Sequence, residues 1–127
     1  MMKIYGIGTD IVSVDRIKKS IKNIKFLERL FSKEEIAKCS KLVNSNNCYA
    51  KRFAAKEAFS KALGTGISNG INFNEIIVLN EKNGKPFIKL EGKTKKKIHR
   101  RLEKKAKISL SLSDEKKYAV AFVTISL

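Results

Sequence analysis

From Lys3 to Val14 apolar and polar positions alternate and β-branched residues are frequent, which predicts a strand. The apolar period then lengthens. Val14, Ile17, Ile21 and Ile24 fall on one face of a helix that takes over near Ser13 or Val14. Ser32-Lys-Glu-Glu35 has the form of a capping box, in which the Ser32 hydroxyl accepts from first-turn amides while Glu35 reaches back. A helix is therefore predicted to start near Lys33, with a break at Asn44–Asn47. Tyr49–Leu63, rich in Ala and Lys, carries the strongest helical signal, and Gly64 stands where a C-terminal cap belongs.

Gly64-Thr-Gly66 and Gly70 mark a loop, after which strand patterns return. Phe73–Asn80 and Pro86–Glu91 flank Asn83-Gly84, a tight-turn pair, and together predict a hairpin. Lys93–Lys105 predicts a basic helix with a thin apolar stripe, Ile98 and Leu102. Ile108, Leu110 and Leu112 alternate with Ser109, Ser111 and Ser113, and a turn at Asp114–Lys117 leads into Tyr118–Ile125 as a second hairpin. The predicted class is α+β, helices packed on antiparallel strands. At 127 residues the chain has the length of a single domain, 1–127.

Composition narrows the field. With 43% hydrophobic and 31% charged residues the chain is not a disordered tail. No apolar run approaches the roughly 20 residues of a membrane span, and the N-terminus lacks the pattern of a secretory leader. A cytoplasmic protein with no membrane partner is expected. Cys39 and Cys48 match no zinc or redox spacing and are expected to be free thiols in a reducing compartment. Lys plus Arg is 28 against 12 for Asp plus Glu, a net charge of +16 that favours anionic partners. Lysine supplies 23 of the cations, whereas the forked guanidinium of Arg is the better reader of bases and phosphates.

Gly6-Ile-Gly8-Thr-Asp10 has two glycines of a dinucleotide fingerprint but not the third, since position 11 is Ile and the strand pattern continues. What remains is a carboxylate, Asp10, among Ile7, Ile11 and Val12, where it needs a partner or a metal. On the central helix Phe53, Glu57 and Lys61 form one ridge, and Arg52, Lys56 and Ser60 the next. Read plainly, Asp10 pairs with Arg16 or a lysine, and Glu57 with Lys61. Read chemically, Glu57 is a hard-cation ligand among phosphate-binding cations. Magnesium suits that set, because it is typically held by one or two carboxylates plus substrate phosphates and water.

GIGTDIVSVDRI near the start, RFAAKEAFSKALGTGI in the centre, NGKP at the hairpin and SLSDEKKYAVAFV at the end carry a resemblance that covers most of the chain. By these motifs it resembles the bacterial holo-acyl-carrier-protein synthases, the small class of 4′-phosphopantetheinyl transferases. The resemblance implies an α+β fold assembled as a homotrimer with active sites between subunits. It implies coenzyme A as co-substrate, magnesium held by Asp10 and Glu57, and catalysis centred on Glu57 and Lys61. Arg52, Lys56 and Lys61 would hold coenzyme A phosphates beside Gly64 and Gly66, and Arg16 would contact an acidic acyl carrier protein. If subunits share sites, Asp10 of one chain is expected to face Glu57 of the next.

Two departures accompany the resemblance. Many relatives carry an acid where this chain has Ser13, and histidine where Ser109 and Asp114 stand, so no role of those side chains is carried over. His99 lies outside every motif and reads as a surface residue. A rival reading, a small basic nucleic-acid-binding protein, explains Lys93–Lys105 but leaves Asp10, Glu57 and Gly64–Gly66 without purpose, and no recognised module supports it. No nucleic-acid partner is expected. A metal-dependent phosphohydrolase shares the carboxylates and differs in releasing its product to water.

Overall fold

The computed structural model describes residues 2–64, 70–102 and 105–127, and in it the opening alternation forms β1, Ile4–Ser13. The Ser13 hydroxyl accepts from the Arg16 amide at 3.3 Å and starts α1, Val14–Ser20. The predicted apolar stretch through Ile24 is two helices rather than one. The Asn23 side chain accepts from the Lys25 and Phe26 amides, satisfying the orphan donors of a new helix, α2, Ile24–Leu30. The capping box forms as predicted: Ser32 and Glu35 exchange hydrogen bonds of 2.9 and 3.2 Å at the start of α3, Lys33–Cys39.

The central helix, α4, runs Ser45–Leu63, so the asparagines at 44–47 start it instead of breaking the chain ahead of it. Gly64 ends it at φ +81°, a left-handed cap that costs glycine no Cβ clash. One 3-10 turn, Phe73–Glu75, precedes β2, Ile76–Asn80, where a longer strand was predicted. β2 pairs antiparallel with β3, Pro86–Leu90, with Val78 opposite Ile88. Then come α5, Gly92–Arg101, β4, Lys107–Asp114, and β5, Tyr118–Ser126; positions 103–104 of the predicted basic helix lie outside the described residues. β1, β5 and β4 form a three-stranded antiparallel sheet in that order.

Alternation decides what the sheet buries. Val12 of β1 and Ala119, Ala121, Val123 and Ile125 of β5 point inward, where α4 meets them with Ala54, Ala55, Ala58 and Ala62. Small side chains on both sides let the helix lie close. Closest of all is its contact with β1: a Cβ on Gly6 would run into the carbonyl oxygen of Ala62, and one on Gly8 into that of Ala58. The Gly-Ile-Gly segment is a packing surface for a helix, not a phosphate loop. It sets Asp10, two residues beyond Gly8, against the C-terminal half of α4.

The cysteine expectation is corrected. Cys39 and Cys48 form a disulfide across 5.5 Å between Cα atoms, and no free cysteine is present among the described residues. Because α4 starts at Ser45, its first turn brings Cys48 alongside the end of α3, and both sulfur-bearing residues face the core. No sequence spacing announces such a pair.

Candidate functional site

Asp10 projects from the inner face of β1, its side chain 16% exposed. The Lys61 ammonium lies 3.2 Å from its Oδ1 and donates to the Thr9 carbonyl at 2.9 Å. Asp10 thus pairs with a lysine, as its apolar surroundings require, and Lys61 spans from α4 to β1. One turn back along α4 stands Glu57, half-buried. Burial raises its carboxyl above the ordinary range, and the nearby charge of Asp10 raises it further, against partial relief from Lys61 and Arg16. One chain brings both carboxylates together. The expectation that, if subunits share sites, Asp10 faces the Glu57 of the next chain is corrected: within one chain the charge of Asp10 already acts on Glu57.

Two carboxylates that repel each other, from two different elements, are what a divalent cation relieves. Among the described residues no cluster of three or more His, Cys, Asp or Glu side chains can hold a metal. A pair of carboxylates suits magnesium, which keeps positions for phosphate oxygens and water, and suits zinc poorly.

Beside the carboxylates opens a cleft of about 380 Å³, lined by Glu57 and Phe53 of α4, Arg16 of α1, Phe26 and Leu30 of α2, and Phe73. Phe53 and Phe73 meet edge to face with centroids 6.2 Å apart. Phe26, Leu30 and Phe73 escaped the sequence reading. The signal was present in α2, where Phe26 and Leu30 lie four apart on a helix that buries no residue fully. A larger cavity of about 670 Å³ is lined by Glu28, Glu34, Glu75 and Glu91, an acidic setting unsuited to phosphate.

The second ridge of α4 has a different fate. Arg52, Lys56 and Ser60 all face the interior. Lys56 is 0% exposed and donates to Glu35 Oε1 at 2.6 Å and to the Phe73 carbonyl at 2.8 Å. Burial outweighs the Glu35 charge and lowers its ammonium to about 8. Glu35 is saturated as well, taking the Ser32 and Val78 amides. The expectation that Lys56 holds a phosphate is corrected: its ridge packs inward and its donors serve a buried ion pair.

Arg52, 3% exposed, donates to Cys48 and to Asn80 Oδ1, while its Nε has no partner among the described residues. Asn80 Oδ1 also accepts from Lys38 at 2.6 Å. Burial, then the charges of Arg52 and Lys51, lower the Lys38 ammonium, so this corner concentrates positive charge. Asp114 lies 3.5 Å from Lys51 and accepts from Asn47 at 2.9 Å. Ser109 is exposed on β4, and Ser13 is a helix cap. Gly64 is the cap of α4, and Gly66 lies outside the described residues.

Residues 6–123 match the family described as the 4′-phosphopantetheinyl transferase superfamily. A holo-acyl-carrier-protein synthase of Pelagibacter ubique is 50% identical over 125 residues, covering 98% of each chain. One from Vibrio vulnificus is 43% identical over 124 residues, covering 96% of this chain and 97% of its own. The crystal structure of a holo-acyl-carrier-protein synthase from Neisseria meningitidis superposes with a TM-score of 0.86 at 40% identity, covering 97% of this chain and 98% of that one. The Helicobacter pylori synthase, solved in complex with coenzyme A, gives 0.78 at 34% identity over 94% of this chain and 98% of its own.

Proposed function

The chain belongs to the 4′-phosphopantetheinyl transferase superfamily, and from that premise we propose that it moves the phosphopantetheine arm of coenzyme A onto a serine of an apo acyl carrier protein. The observation that carries the reading is the meeting of Asp10 and Glu57 with Lys61 beside an aromatic cleft. Asp10 and Glu57 would hold a magnesium ion, which supplies charge neutralisation on the pyrophosphate oxygens. The carrier serine oxygen attacks the phosphorus that bears the pantetheine arm, and its hydroxyl proton is released to water. A phosphodiester forms, the pyrophosphate bridge breaks, and adenosine 3′,5′-bisphosphate leaves with the bridging oxygen.

Lys61 serves this step as a phosphate cation and, through Asp10, keeps the carboxylate aimed. Lys38 and Lys51, with Arg52 behind them, make a second cationic corner fitted to a nucleotide phosphate. Arg16, exposed at the mouth of the cleft, faces the acidic carrier. The three-stranded sheet has an outer face left bare by the monomer, with Ile7 60%, Ile11 63%, Tyr118 47% and Phe122 44% exposed. We assign that face to contact between copies in a homotrimer, since a monomer rarely leaves a contiguous apolar sheet face in water. Among the described residues no helix is long and apolar enough to cross a membrane. The reading places the protein in the cytoplasm with its two substrates.

The test is incubation of an apo carrier protein with coenzyme A, magnesium and this protein, followed by mass spectrometry. A gain of one phosphopantetheine arm, roughly 340 Da, supports the reading, because phosphoryl transfer leaves the whole arm on the acceptor. Release of the arm to water with an unmodified carrier would favour a hydrolase.

A further inference from the structure

α5 is a cationic surface for which the transfer reaction supplies no duty. Six of its ten residues are Lys or Arg, and none is acidic. Thr94, Ile98 and Leu102, four apart, are buried. The remaining positions turn outward by helical geometry, and Lys93, Lys95, Lys96 and Arg100 are exposed. Among the described residues no ion pair involves any of these four. Gly92, Lys95, Lys96, His99 and Arg100 line a shallow concavity of about 580 Å³.

The helix is tied to the wall of the catalytic cleft. Asn72, which lines that cleft, donates its amide to Thr94 Oγ1 at 2.8 Å. Glu75, three residues on, accepts from the Thr94 hydroxyl at 2.8 Å and from the Lys93 amide at 3.2 Å. At the other end Arg101 reaches the Leu63 carbonyl, at the end of α4, at 3.3 Å. α5 therefore flanks the same cleft whose mouth holds Arg16 and Arg29.

We propose that the exposed face of α5 is a second docking surface for the acidic carrier protein, engaging carboxylates on a helix of the carrier while its serine occupies the cleft. The inference rests on the transfer reading above and deepens it. At about 1.5 Å per residue the face is roughly 15 Å long, the scale of one short helix. Its outward side chains include no Phe, Tyr or Trp for bases to stack on, and no apolar group to enter a bilayer. Ammonium groups attract without demanding bidentate geometry, which suits mobile surface carboxylates.

The test replaces Lys93, Lys96 and Arg100 together by Gln, with a charge-preserving control of Lys93→Arg, Lys96→Arg and Arg100→Lys. Melting curves confirm that both fold. Carrier and coenzyme A are then varied separately at low and high salt. The expected result is a KM for the carrier raised roughly fivefold or more at low salt, with kcat and the coenzyme A KM unchanged and the control close to wild type. The gap should narrow in high salt. An unchanged carrier KM, an equal rise in the coenzyme A KM, or an equal defect in the control overturns the proposal. So does salt-sensitive binding of a DNA duplex that the Gln variant loses while its carrier KM stays unchanged, which would make α5 a nucleic-acid surface. If wild-type protein modifies no carrier at all, the transfer reading itself fails, and the proposal with it.

Discussion

Asp10 and Glu57 are unequal in what surrounds them, yet each is expected to be indispensable. Asp10 has Lys61 at 3.2 Å, and Glu57 sits half-buried with a raised carboxyl. Asp10→Asn and Glu57→Gln keep the shape and remove the anion, and amides are poor magnesium ligands. Each should lose nearly all transfer with circular dichroism unchanged and a weakened response to added magnesium. Full activity of either at saturating coenzyme A would remove it from the metal site. Glu35 and Lys56 predict the opposite pattern. Glu35→Ala strands a buried ammonium and should cost about 3–5 kcal/mol of stability, read from denaturant midpoints. The pH dependence has a definite sign. Folding lowers Lys56 from 10.5 to about 8, so between those values the unfolded chain holds a proton that the folded chain has released. Stability from this group is then flat below the window and rises with pH through it. Wild type should gain on Lys56→Met across that window, and a constant difference between the two would refute the assignment.

At the scale of elements, the contact between β1 and α4 is the joint on which the site depends. Gly8→Ala places a methyl against the Ala58 carbonyl, a backbone atom that cannot swing aside. The helix must back away, at a cost of roughly 1–3 kcal/mol for overpacking. The separation of Asp10 from Glu57 changes with it. Activity should therefore fall further than the loss of stability explains, checked by kinetics well below the melting temperature; a variant that is merely less stable would show normal rates when cold. The joint between α3 and α4 is covalent. A bridge between Cys39 and Cys48 closes a loop of about ten residues, worth about 2–3 kcal/mol through loss of unfolded-state entropy. Denaturation with and without a dithiol reductant should differ by that amount, and alkylation of the unfolded chain should find thiols only after reduction.

For the whole molecule, the proposed homotrimer would cover the outer sheet face. Ile11 is 63% exposed in the single chain, so a charge there disturbs little of the chain's own packing. Buried between copies it would be intolerable. Ile11→Glu is expected to convert a species of three chains into single chains in sedimentation, with a melting curve that becomes independent of protein concentration. Wild-type protein that already sediments as one chain would leave the face without its partner. Activity after dissociation measures how much of each site the neighbour supplies, since one chain already unites both carboxylates.

The strands, the capping box at Ser32–Glu35, the cap at Gly64 and the existence of both hairpins follow from local rules of period and turn chemistry and were legible in the chain, whereas the division of the first helical stretch into α1 and α2 was not. Asp10, Glu57 and Lys61 were legible too, because charged groups within apolar or helical patterns are conspicuous. Which of two cationic ridges on α4 faces solvent was not legible. Arg52 and Lys56 look as available as Lys61 in the sequence, and only the seat of α4 on β1, permitted by Gly6 and Gly8, turns them inward. The Cys39–Cys48 bond, the partnership of Glu35 with Lys56 and the cleft formed by Phe26, Leu30 and Phe73 likewise join elements that are separate in the chain. Local patterns report what each residue prefers beside its neighbours. Packing decides which preferences meet, because one helix can present only one face to the core.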